Sequence, residues 1–154
     1  MREEFSAGGI VFKKLKVKNP PAGKPGQKSK VAWLICQHSQ HKGWVFPKGL
    51  IGDSIENEPK EKTAVREVKE ETGIDAEIIS ALPTPVTYWY QYKKERIHKT
   101  VYFYLMQYLG GSFDDHDHEM MDVAWTTEQG VKRTLTYQND KRAFEEALEL
   151  YSNL

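Results

Sequence analysis

The sequence predicts an α+β domain in which helices pack against a mixed, largely antiparallel sheet. Segments rich in β-branched and aromatic residues recur along most of the 154 residues, whereas helical periodicity is confined to one central stretch and one near the C-terminus. Strands and helices also fail to alternate in the regular rhythm of a doubly wound fold. The length and the 39 % hydrophobic content suit a single domain over 1–154 with one packed core.

"FSAGGIVFK" (5–13) reads as a first strand whose glycines permit close backbone approach, and "KVAWLICQH" (30–38) as a second. The connector over 15–29 mixes lysines with Pro and Gly and can bury little. It is expected to be a mobile hairpin excursion, with a lysine-lined arm over a phosphate substrate as the other reading. "WVFP" (44–47) is a short strand closed by Pro47, and "KGLIGDSIENE" (48–58) is a glycine-containing loop. From about Pro59 to Thr72 the composition is helix-forming, with proline at the start and Gly73 as the stop. "AEIISAL" (76–82), "PVTYWYQY" (85–92), "IHKTVYFYLMQYL" (97–109) and "MDVAWTT" (121–127) read as strands, with "KKER" turning between the middle two. A terminal helix over about Asn139–Tyr151 shows Ala143, Phe144, Ala147, Leu148 and Tyr151 at helical spacing.

Lys plus Arg balance Asp plus Glu at 22 each, so no whole-molecule field draws in nucleic acid or an acidic membrane, and neither is expected as a stable partner. The only cysteine, Cys36, lies in the apolar run "VAWLIC". It allows no internal disulfide and reads as a buried, inert thiol in a reducing compartment. The start "MREEFSAGG" lacks the apolar core of a secretory signal, and no run approaches the ~18 apolar residues of a membrane span. A cytoplasmic location is the expectation.

The central helix carries the chemistry. At 100° per residue, Glu70 falls about 60° to one side of Glu67 and Glu71 about 40° to the other, so three carboxylates share one arc. Ala64, Val65, Val68 and Thr72 form an apolar stripe beside them, which places the acids at the rim of the buried face. Glu67 and Glu71 repel as an i,i+4 pair at a cost of ~0.2–0.5 kcal/mol, and Glu70 and Glu71 oppose the helix dipole just before Gly73. One reading is a solvated acidic face balanced by Lys62, Arg66 and Lys69. The other is a divalent cation that reverses the repulsion, since Mg²⁺ takes carboxylate and phosphate oxygens.

The wider frame favours the cation. Gly52, Glu58, Arg66-Glu67-Val68, Glu70-Glu71 and Gly73-Ile74 fill every fixed position of a 23-residue pattern, G-x5-E-x7-R-E-U-x-E-E-x-G-U, where U is apolar. This resembles the box of the Nudix hydrolases. The likeness extends to "SAGGIVF", "GWVFPKG" and "DVAWTT", and so covers most of the chain. It implies an α/β/α sandwich on a mixed sheet and hydrolysis of nucleoside diphosphates linked to another moiety. One departure stands out. In relatives with the "FPKG" lead-in, that motif's glycine is usually the box glycine, yet here Gly49 lies nine residues before Glu58 and Gly52 lies six. Either can be the structural equivalent.

The resemblance implies Mg²⁺, with Mn²⁺ as substitute, on Glu67, Glu70 and Glu71. Glu67 is a further ligand or the base for the attacking water, and Arg66 orients it. Glu119, from "DDHDHEM", reaches the metal or water, or else belongs to a hydrated acidic loop. His116 and His118 lack zinc-site spacing and read as surface residues. Tyr88, Tyr90 and Tyr92 alternate along one strand face, as core packing for at least two of them or as a base platform. A tyrosine at that distance beyond the box, followed by "KTVYFYL" (99–105), looks like the diadenosine-polyphosphate hydrolase branch. Lys48, Lys99 and Arg96 are then phosphate contacts, or otherwise ordinary solvated cations. The expected substrate is a dinucleoside polyphosphate such as diadenosine tetraphosphate. The alternatives are a nucleoside triphosphate, an RNA 5′ end, ADP-ribose, a diphosphoinositol phosphate, or a non-catalytic nucleotide sensor on the same fold.

Overall fold

The computed structural model describes residues 1–15 and 30–154, so the expected loop over 15–29 lies, from residue 16 on, outside the described residues. Strands β1 (Arg2–Leu15), β2 (Lys30–His38), β3 (Trp44–Val45), β4 (Lys48–Leu50), β5 (Ile74–Ala81), β6 (Val86–Tyr92), β7 (Glu95–Gly111) and β8 (Met120–Thr126) form one mixed 8-stranded sheet. Its path runs β3-β2-β1-β7-β5, with β4 on β1, β6 on β7 and β8 on β2. Among the described residues only the β1–β7 pair is parallel, running from Arg2↔Ile97 to Phe12↔Gln107. Helix α1 (Lys60–Thr72) covers one face, and α2 (Glu128–Thr134) and α3 (Gln138–Ser152) cover the other.

The central strands read as unbroken apolar runs because both of their faces are buried. Along β2, Trp33 and Ile35 join the core under α2 and α3, while Leu34 and Cys36 join the core under α1. The same alternation sends Ile10 and Phe12 of β1 one way and Ala7 and Val11 the other. Two cores thus flank the sheet, in place of the one expected. Cys36 is fully buried, and that burial raises its thiol pKa.

The sandwich matches the α+β reading, with three local differences. Residues 48–50, read as loop, pair with Ser6–Gly8 as β4. The seven residues of α2 were not anticipated, although Thr127 caps them by accepting from the Gly130 N–H at 3.0 Å. The tyrosine face of β6 is not core: Tyr88 and Tyr90 are half-buried and Tyr92 is 55 % exposed. Helix α1 ends as expected, with Gly73 in the left-handed region at φ 80°.

Candidate active site

A cleft of about 350 Å³ opens between the acidic face of α1, β4, the loop before β8 and the β6–β7 pair. The stripe Ala64, Val68 and Thr72 is fully buried and fixes the rotation of α1, which brings Glu67, Glu70 and Glu71 to the cleft wall. Glu67 and Glu71 are 8 % and 3 % exposed, while Glu70 stands at the open rim.

Arg66 ties this wall together. Its Nη2 donates to Glu58 Oε1 at 2.9 Å and its Nε to Glu58 Oε2 at 3.1 Å, while Nη1 reaches Glu67 Oε1 and Glu70 Oε1, each at 3.0 Å. A planar guanidinium with five fixed donors suits this three-way grip, which lysine could not reproduce. Arg66 holds the Glu58 carboxyl below the usual carboxylate range. Glu67 goes the other way: burial outweighs the Arg66 charge, with help from Glu70, and raises it from 4.5 to about 7. Burial raises Glu71 as well, although its Oε2 accepts from the Lys48 N–H at 2.9 Å.

The two candidate glycines separate by position. A Cβ at Gly49 would lie 2.1 Å from the Glu67 carboxyl carbon, so the backbone of β4 passes directly against the carboxylate. Gly52 has φ +81° in the turn beyond, and a Cβ there would meet nothing within 4 Å. Gly49 therefore lies directly against Glu67, and the residues separating it from Glu58 form a longer loop.

Lys48, Lys99 and Tyr88 line the same cleft. Burial and the neighbouring Lys48 charge both lower the Lys99 pKa. Lys48 is itself raised, because the charges of Asp140, Tyr88 and Glu71 overcome its burial. Neither ammonium makes an ion pair within 4 Å among the described residues. Glu119 lines the cleft, as does Asp117, whose Oδ1 accepts from the Glu119 N–H at 3.0 Å. Two expected contacts lie elsewhere. Tyr90 donates its hydroxyl to Glu4, and Arg96 stacks over the Trp89 ring at 4.4 Å on the hairpin. His38 and His41, whose rings stack at 4.3 Å, do line the cleft although their sequence neighbourhood gave no sign of it.

The donor set fits a hard cation: it consists of crowded carboxylates, Glu67 and Glu71 buried and Glu70 at the rim, whose mutual repulsion a divalent ion would relieve. Among the described residues no three His, Cys, Asp or Glu side chains close round one point as a preformed cage. Carboxylates arrayed along a wall suit Mg²⁺, which keeps waters and substrate phosphate in its shell.

The family profile of the NUDIX domain matches residues 23–147. A Mycobacterium tuberculosis (strain CDC 1551 / Oshkosh) protein named mutator protein MutT4 is 36 % identical over 154 residues, 98 % of this chain and 57 % of its own length. The chain thus spans a little over half of that relative. Among solved structures, a C. elegans Ap4A hydrolase in a binary complex superposes with a TM-score of 0.67 at 19 % identity, covering 98 % of this chain and 99 % of that one. The NUDIX domain of Shewanella oneidensis NrtR, complexed with ADP ribose, gives 0.63 at 18 % identity over 98 % and 90 %. These likenesses concern the fold. With the NUDIX-domain profile matched over most of the chain and Glu67, Glu70 and Glu71 of the box lining one cleft, the chain belongs to the NUDIX family.

Proposed function

We propose that this domain is a metal-dependent pyrophosphohydrolase that cleaves a phosphoanhydride bond in dinucleoside polyphosphates, with diadenosine tetraphosphate as the reference substrate. The observation that carries this is that Lys48 and Lys99, neither in an ion pair within 4 Å among the described residues, line the same cleft as Glu67, Glu70 and Glu71. A polyphosphate chain relieves their repulsion and presents its remaining oxygens to the carboxylates. The likeness to the Ap4A hydrolase fold supports the reading.

Glu67, Glu70 and Glu71 would hold Mg²⁺ or Mn²⁺, which when bound neutralises phosphate charge and acidifies a bound water. Arg66 fixes the orientation of Glu67, which joins the ligands or accepts the proton of the attacking water. Lys48 and Lys99 grip phosphate, and Tyr88 flanks the chain where it leaves the cleft. Glu119, which lines the same cleft, orients the attacking water. Retention of all three box glutamates speaks against a sensor that binds without turnover.

A panel of diadenosine tetraphosphate, ATP, a triphosphorylated RNA end, diphosphoinositol phosphate and ADP-ribose with Mg²⁺, resolved by chromatography, tests the substrate. The dinucleotide is expected to show the highest kcat/KM. Preference for ADP-ribose over every dinucleotide would overturn the reading, and tight binding without hydrolysis in Mg²⁺ or Mn²⁺ would favour the sensor.

A further inference from the structure

Beyond Lys48 and Tyr88 the cleft continues into a second cavity of about 360 Å³ with a different character. Its walls include Val86 and Val101, the rings of Tyr88 and Tyr137, and the first turn of α3 with Asn139 and Asp140. The Tyr137 hydroxyl is occupied by His41 Nδ1 at 3.1 Å, which leaves its ring as a fixed aromatic wall. A flat ring fits such a space, since aromatic and aliphatic side chains stack on either face of a heterocycle.

Asp140 is the anomaly. It is 5 % exposed, yet among the described residues it makes no hydrogen bond and no ion pair, and only the more distant Lys48 charge offsets its burial. An acid in the first turn of a helix complements the dipole, but that benefit is available to an exposed carboxylate as well and does not account for burial. A desolvated carboxylate facing a cavity is satisfied by a ligand that brings hydrogen-bond donors.

We infer that this cavity receives the nucleobase and that Asp140 sets base specificity by accepting two adjacent N–H groups, the edge that guanine presents and adenine lacks. The inference rests on the nucleotide reading above and refines the choice within that class. The two oxygens of a carboxylate match the two adjacent N–H donors of guanine, whereas adenine offers one amino donor beside a ring-nitrogen lone pair. The Asn139 amide, on the same cavity, can donate to the guanine carbonyl. Asparagine, with one donor and one acceptor, is the side chain that pairs with adenine.

The test compares diguanosine and diadenosine tetraphosphate with wild-type protein and Asp140→Asn, both in Mg²⁺. Wild type is expected to favour the guanine compound in kcat/KM by about tenfold, and the substitution to shift the ratio toward adenine by a similar factor. A merely structural Asp140 would lower both substrates equally and leave their ratio fixed, which overturns the inference, as does an adenine preference in wild type. Should neither dinucleotide be hydrolysed, the function proposed above fails on its own. Calorimetric binding of GMP and AMP then decides the cavity: tighter GMP binding that inverts in Asp140→Asn supports it, and equal or absent binding of the two overturns it.

Discussion

Glu67 is the residue whose environment says most about the site. Its carboxyl titrates at about 7 in the folded chain, against an ordinary value of 4.5. Between those values the folded state holds a proton that the unfolded chain has released, so stability falls as pH rises through this window. Glu71, raised for the same reason, acts with the same sign. The metal-free protein should therefore melt at a higher temperature at pH 5 than at pH 7.5, and saturating Mg²⁺ should flatten the slope. Glu71→Gln should reduce that slope and keep the fold, since an amide oxygen can still accept from the Lys48 N–H. The same change should lower turnover by orders of magnitude. Thermal melts across pH with and without Mg²⁺ check the first outcome, and unchanged turnover would remove Glu71 from the ligand set.

At the scale of elements, β4 and α1 make the site by pressing backbone against carboxylates. Gly49→Ala should abolish turnover with little loss of stability, because the new methyl would displace the Glu67 carboxyl group, the far end of a side chain that can shift. Gly52→Ala should cost only about 1 kcal/mol of backbone strain and leave kcat intact, since open space surrounds it. Paired kinetics and denaturant melts of the two variants assign the box glycine; equal loss in both would contradict the assignment to Gly49. Helix α1 was legible in the sequence because its charge spacing and apolar stripe follow from one period. Strand β4 was not, since Gly and Lys carry no strand signal and pairing with Ser6–Gly8 alone creates it. Thr127 offered a cap signal for α2 that the interior Gly130 obscured. Tyr137, Asn139 and Asp140 reach their cavity from the far end of the chain, where no local spacing ties them to the box.

For the molecule as a whole, two cores back to back make the sheet rigid, and α3 seals the one farther from the box. Phe144 of α3 meets Trp33 edge-on at 5.1 Å and Phe46 at 5.9 Å, and Phe46 in turn lines the cleft. Phe144→Ala should lose about 3–5 kcal/mol in urea unfolding, and a loss well under 1 would show that α3 is not integral to the core. The overall sandwich was legible from composition and element order, whereas the division into two cores required knowing which face each strand residue takes. The central β1–β7 pair joins the first dozen residues to a strand that begins at Glu95. During synthesis β1 must therefore wait while the residues up to Glu95 and beyond are made before it can meet its parallel partner. Until then the apolar β1 and β2 have no complete sheet to enter, and chaperone protection during translation matters more for this domain than for one whose neighbouring strands are neighbours in sequence.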